Sequence, residues 1–458
     1  MTNRFLKAAA LWCQVSPVTL GEGPLLARLI LVHLTLAVSL AAGEIRRTPL
    51  VLTQGGTPEQ PAVFDGRGLI IDLGIDITDQ DWAKQGDVWI ARAPRPDHPP
   101  VADTQRAGLF IDEVPLRIAR DHAAERAAGV AGTVIYTAPE RLQPGQMGWT
   151  AEGALYFRWP KGKTPGGGRI IRPPGKLESG VVIACSHIIV RNLTVRHAAN
   201  DGFNIHGHRV GIRLENVKAF SNGDEGISAH ETVQMDVFDS EIAWNGSAAG
   251  GVADVNDSVT SYTRCEVHHN LGAAFFFDGK HHRVTDCLIH HQDRDIVVRG
   301  DAVVEQCRFE NAGERPLNIG GSTGLKFFRP PDAKHEAKDI TVRGNHIAGG
   351  LCAAAFAGVD GALFEDNTVL FPGRWIFRIL QENRAEGFVP CRNGVVRGNR
   401  IVFRRADIRE EVNTSPGVAA QTFRFENNRW FAEDRPDASR PRLPVEETGG
   451  VYGTDPRR

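Results

Sequence analysis

Residues 190–207 read VRNLTVRHAANDGFNIHG, and residues 213–231 repeat the plan as RLENVKAFSNGDEGISAHE. In each, alternating apolar positions lead into a turn bearing Asn and Gly, and a second short apolar run follows. Such runs, at 202–206, 226–230, 273–277 and 295–299, are too short for helices and carry the alternating or β-branched apolar residues of strands. Working outward, copies begin at Leu193, Val217, Ser240, Cys265, Cys287, Cys307, Asn345, Asn367, Asn399 and Asn428. Most steps span roughly 20 to 25 residues, the period of a coil. Longer steps leave room for protruding loops at 322–338 and 381–391. A coil of two or three strands cannot cover its own apolar face. Stacked coils can, because strands about 4.8 Å apart pair their backbone groups and align their inward side chains. The period therefore predicts a solenoid over residues 180–431, with about ten coils and a length of roughly 50 Å.

Equivalent positions stack in this register. Cys265, Cys287 and Cys307 then form an inward column of small buried thiols rather than disulfides, and Asn345, Asn367, Asn399 and Asn428 form a side-chain amide ladder. No C-x-x-C pair occurs, so the spacing of the cysteines does not fit a zinc site.

The flanks differ. Arg4, Lys7 and Arg28 precede an apolar run at 29–40 and the small residues Ser39, Ala41 and Ala42, the order of a secretory signal peptide over residues 1–42. Glu44, Arg46 and Arg47 follow at once and the run is short for a bilayer, so an exported protein, periplasmic or extracellular and without stable membrane insertion, is expected. Residues 43–179 lack the period but have β character at 68–77, 88–93, 108–120 and 154–159, broken by Gly and Pro. They are expected to form irregular first coils and a β-rich insertion capping the solenoid. Residues 432–458, rich in Pro, Asp and Arg, read as a strap or a disordered tail. Across 458 residues, 53 basic side chains balance 55 acidic ones, which excludes a strongly basic nucleic-acid binder. A monomer is expected.

The units at 190–207, 213–231, 263–278 and 284–300 resemble those of right-handed parallel β-helix proteins of the pectate-lyase-like superfamily. The resemblance covers about half the chain. It implies an all-β, right-handed parallel β-helix. Gly153 to Pro160, followed by Pro165, also resembles the lead-in module that precedes the helix in many carbohydrate-active members. Members include polysaccharide lyases, glycoside hydrolases, uronate epimerases and shafts without catalysis, so the fold leaves function open.

Ten of the sixteen histidines fall between His197 and His291. One set follows the short strand of successive coils: Asn204 and His206; His230 and Glu231; Asp254, Asn256 and Asp257; Asp278 and Lys280; Arg299. Alternation should turn His206 and His230 outward on neighbouring coils, with Asp254 and Asp278 at the next steps. A second set, His197, Trp244, His269 and His291, reads as a stacked polar ladder at a corner. For the first set, β-elimination from a uronic acid needs a base, supplied by His206, His230 or Lys280, and a neutraliser of the substrate carboxylate, supplied by Arg299 or by calcium on Asp254, Asp257 and Asp278. Asn204, Glu231 and Asn256 would bind the glycan. Hydrolysis instead needs two carboxyl groups, one protonated. Asp201 and Asp224 occupy equivalent turns, with Glu225 adjacent, and resemble the first two aspartate motifs of the polygalacturonase family, whose later histidine and arginine–lysine motifs are absent from their expected places. A polysaccharide lyase is expected first, with hydrolase, epimerase and a non-catalytic binding or structural helix as alternatives.

Overall fold

The computed structural model describes residues 43–92, 106–130, 132–292, 294–321, 328 and 332–458. The expected signal peptide at 1–42 lies outside them, as does most of the loop at 322–331. Among the described residues, no helix is long and apolar enough to cross a membrane.

Backbone pairing between coils organises the chain into a parallel β-helix. One sheet stacks eleven short strands, among them Val181–Ile183, Phe203–Ile205, Ile227–Ala229, Gly250–Asp254, Ala273–Phe277, Arg294–Val298 and Arg315–Gly320. A second, 22-stranded sheet takes most of its strands in pairs from successive coils, such as Ile212–Glu215 and Lys218–Phe220. The period-2 pattern fixes which side chains enter the core. Phe203, Ile227, Val252, Phe275, Ile296 and Leu317 lie in register along one column, and all are buried.

Leu193, Val217, Ser240 and the three cysteines lie in line with the four asparagines as one inward column. The thiols of Cys265, Cys287 and Cys307 are free, buried and directed at backbone carbonyls. Below them, Asn345 donates to Asn367 at 2.9 Å, Asn367 to Asn399 at 3.1 Å, and Asn399 to Asn428 at 2.8 Å. Each carboxamide also donates to a strand carbonyl of the preceding coil. A second ladder, Asn222, Asn245, Asn270 and Gln292, follows the corner where Ser221, Trp244, His269 and His291 hold φ near +50 to +59°. These corners turn the chain toward the short-strand sheet, which sets where the following side chains point.

The flanks fold as an insertion and a strap. The insertion is an eight-stranded mixed sheet with a core of Trp89, Trp149, Phe157 and Trp159. It docks on the side of the solenoid: Ala107 N–H donates to Gly223 O at 2.8 Å, Ser221 Oγ donates to Glu113 O at 2.8 Å, and the Phe110 ring lies 5.4 Å from that of His197. The tail is an ordered strap. Glu447 accepts from Asn428, Trp430 and Tyr452, so the last asparagine of the ladder is satisfied by the strap, while Leu443, Val445 and Tyr452 pack against the solenoid core.

The ladder can be tested directly. Asn367→Ala should lower unfolding stability by about 2–3 kcal/mol, because it strands the amides of Asn345 and a buried carbonyl. Thermal melting followed by circular dichroism measures this, and an unchanged melt would mean that the ladder adds nothing.

Candidate functional site

Neighbouring coils place Asn204 in register with Ser228, and the turns that precede them carry Asp201, Asp224 and Glu225. Asp201 accepts from Asn200 Nδ2 at 3.0 Å, from Ser228 Oγ at 2.7 Å and from Asn204 Nδ2. These donors suit an anionic acceptor. Glu225 Oε1 accepts from Ser247 Oγ, on the next coil, at 2.6 Å. Asp224 pairs with Arg106 of the insertion at 2.5 Å. One oxygen from each of the three acids lies within 4.8 Å of the others, and all three residues are buried.

Like charges held together out of water favour protonation. Burial and the neighbouring Asp201 push Asp224 up to about 6. Burial, together with Asp201 and Asp224, holds Glu225 well above the ordinary carboxyl range. The cluster therefore carries a proton near neutral pH.

His206 and His230 stack with ring centroids 4.1 Å apart and 9° between planes. Burial and His206 lower the pKa of His230. Exposed His206 meets Glu231 at 3.2 Å, and Glu231 also accepts from Gly207 N–H. The column of His206 and His230 continues through Val255 to Asp278 and Arg299, because Ala229 pairs with Asp254, then Asp254 with Phe277 and Phe277 with Val298.

This register corrects the expected position of Asp254. Its side chain faces the core, where Thr260 and Tyr262 donate to it at 2.7 and 2.9 Å and burial raises its pKa to about 7. Asp257 is instead half-exposed and pairs with Lys280 at 3.2 Å, so the residues suggested for calcium do not converge. Lys280 is itself about half-exposed. Asn256 uses its side-chain oxygen to accept from Glu231 N–H.

Farther along the same face, a cavity of about 680 Å³ is lined by Arg117, Arg294, Arg299 and Arg315 together with Glu314 and Glu382. Arg299 lies over the Phe276 ring at 4.6 Å, and burial lowers its pKa from the usual guanidinium value. Of these arginines, only Arg299 was singled out by its spacing. Arg294 and Arg315 share a register position two residues before the inward column, a regularity visible only once the coils are aligned. Arg106 and Arg117 come from the non-repeating insertion, so the period could not place them.

Residues 179–329 match a family model described as a right-handed beta helix region. No curated protein sequence matches the chain. Among solved structures, the chain is similar to a protein titled a glycoside hydrolase, with 12% identity over 84% of this chain and 87% of that one and a TM-score of 0.38. It is similar to XylC in complex with xylose, with 9% identity over 91% and 81% and a TM-score of 0.38. It is also similar to the GH136 lacto-N-biosidase of Eubacterium ramulus, with 12% identity over 90% of this chain and 61% of that one and a TM-score of 0.36.

The protonated state has a measurable consequence. A carboxyl whose folded pKa is raised loses stabilisation as pH climbs from its unfolded value, about 4.3, through its folded one. Glu225→Gln, which keeps an acceptor for Ser247, should therefore melt roughly 2 °C above the parent at neutral pH, with the gap closing near pH 4. An equal or lower melting temperature at neutral pH would mean that Glu225 is ionised in the fold.

Proposed function

We propose that this protein is a glycan-cleaving enzyme that hydrolyses an acidic polysaccharide, with Asp201, Asp224 and Glu225 as its catalytic carboxyl groups. The observation that carries this reading is the convergence of three buried acids on adjacent coils, with Asp224 raised to about 6 and Glu225 held well above the ordinary carboxyl range. Glycoside hydrolysis needs one carboxyl that delivers a proton and a second carboxylate that acts at the anomeric carbon. A protonated Asp224 or Glu225 gives its proton to the glycosidic oxygen as the bond from that oxygen to the anomeric carbon breaks. Asp201, poised by Asn200, Asn204 and Ser228 and within 4.8 Å of the acid, attacks the anomeric carbon as that bond breaks; water, giving its proton to the now-ionised acid, then displaces Asp201 and releases the sugar. His206, Glu231 and the arginine-lined cavity continue the groove along the stacked coils. The excess of guanidinium over carboxylate there favours substrates carrying carboxylate or sulfate groups.

Elimination is less well supported. Its base and its neutralising cation must act on one sugar ring, yet His230 and Arg299 are three coil steps apart, roughly 14 Å at the strand spacing. Calcium has no assembled oxygen cage among Asp254, Asp257 and Asp278.

Incubation with a panel of acidic polysaccharides should release new reducing ends without the ultraviolet absorbance of an unsaturated sugar. Asp201→Asn should lower turnover at least about 100-fold with an unchanged melting temperature. A rise in ultraviolet absorbance, or full activity in the variant, would overturn the assignment. With Asp224 as the acid, which must be protonated, kcat/KM should fall as pH rises past about 6. The double variant Arg294→Ala and Arg315→Ala should raise KM for an acidic glycan about 10-fold with little change in kcat, as expected for lost uniform binding. An unchanged KM would remove these arginines from the binding groove.

A further inference from the structure

At the corner that precedes the short-strand sheet, two successive coils each present a pair of adjacent histidines: His268 and His269, then His290 and His291. Within each pair the rings are nearly perpendicular, at 88° and 84°, and the Nδ1 atoms face each other at 2.8 and 2.7 Å. Between coils the rings stack: His268 on His290 at 4.6 Å and His269 on His291 at 4.5 Å. Ligand atoms of His268, His269 and His290 lie within 4.8 Å of one another, and His291 joins the group through its Nδ1, 2.7 Å from that of His290.

The surroundings orient two of these rings. His268 Nε2 meets Glu241 Oε1 at 3.3 Å, and His290 Nε2 meets Glu266 Oε1 at 2.9 Å. A carboxylate on Nε2 holds the proton there and leaves the Nδ1 lone pair free, the outer-shell arrangement that supports metal-ligating imidazoles. Among the described residues, Nε2 of His269 and of His291 has no protein partner, so it can carry that ring's proton and free its Nδ1 as well. Trp244 covers the His269 ring from the preceding coil at 4.1 Å, giving the site one apolar wall.

We propose that His268, His269, His290 and His291 bind a divalent transition-metal cation, with zinc as the reference ion, through their Nδ1 atoms. An all-imidazole donor set suits zinc, nickel, copper or cobalt and not calcium, which requires oxygen ligands. The geometry is within reach of a tetrahedral site. Metal–nitrogen bonds of about 2.0–2.1 Å imply nitrogen–nitrogen edges of about 3.3 Å. The facing atoms within each coil open slightly to reach that edge, and the stacked rings of the two coils tilt together. The ion would tie two coils at the corner whose next residues, Leu271 to Ala273 and Arg294, line the arginine cavity. This site is independent of the glycan reading and uses none of its catalytic groups. Without metal, the same four rings would form a hydrogen-bonded histidine ladder, and experiment separates the two.

Untagged, chelator-treated protein should be titrated with zinc by calorimetry and with cobalt by visible spectroscopy. The expected result is one ion per chain, a rise in melting temperature with zinc, and the intense visible bands of tetrahedral cobalt. His268→Ala with His290→Ala should weaken zinc binding at least 100-fold. Exposed His291→Ala, which leaves the buried packing intact, should weaken it about 10-fold, and His281→Ala should leave it unchanged. If the double variant fails to fold, the cobalt spectrum and His291→Ala decide the matter. No zinc-dependent heat or melting shift in the parent protein would overturn the proposal. So would binding that persists unaltered in folded His291→Ala and in the folded double variant.

Discussion

The structure depends on one constraint: each coil must lie directly over the last so that its strand amides and carbonyls find partners at the inter-strand spacing. A single-residue slip would turn every inward side chain outward and leave Phe203, Ile227, Val252 and Phe275 facing water. The polar ladders make such a slip costly in a second way. Asn345, Asn367, Asn399 and Asn428 satisfy one another and the carbonyls of the coil before, and Glu447 of the strap closes the series. An amide out of step would be buried without a partner. Registry is thus held both by apolar columns, which tolerate local variation, and by amide columns, which do not.

Chemistry at the surface follows from the same registry. Residues some 23 positions apart become neighbours, so Asp201 meets Asp224 and Glu225 although nothing in their local sequence joins them. The fold accepts an unfavourable cluster of acids because Asn204, Ser228, Ser247 and Arg106 offset part of the desolvation. What remains is expressed as retained protons, the property that acid–base chemistry on glycosidic bonds requires. Embedding a partly uncompensated site in a rigid stack holds its reactive groups in place.

Much of this was legible before any coordinates. The repeat gave the solenoid, and ten residues chosen from sequence alone, Leu193 through Asn428, fall in one structural column. The stacking of His206 on His230 was also expected. Asp254 was misplaced because its coil takes two residues more between the corner amide and the outward position than the coils on either side, so Val255 stands where the spacing suggests an aspartate. Periodicity counts residues between coils and cannot see where extra ones are absorbed. The way the insertion and the strap attach was not legible, for another reason. Neither repeats, so nothing in the sequence showed that the insertion would reach over the solenoid's side and bring Arg106 to Asp224, or that the strap would be ordered by Glu447.

The central claim is that registry alone brings Asp201 against Asp224 and Glu225 closely enough to keep a proton among them near neutral pH. Carbon-13 nuclear magnetic resonance of the labelled side-chain carboxyls, followed through a pH titration of the folded protein, tests it most directly. The account requires carboxyl resonances that titrate at about 6 or above and that change when Asp201 is replaced by Asn. If these three side chains all ionise in the ordinary carboxyl range and ignore that replacement, the cluster does not exist as described.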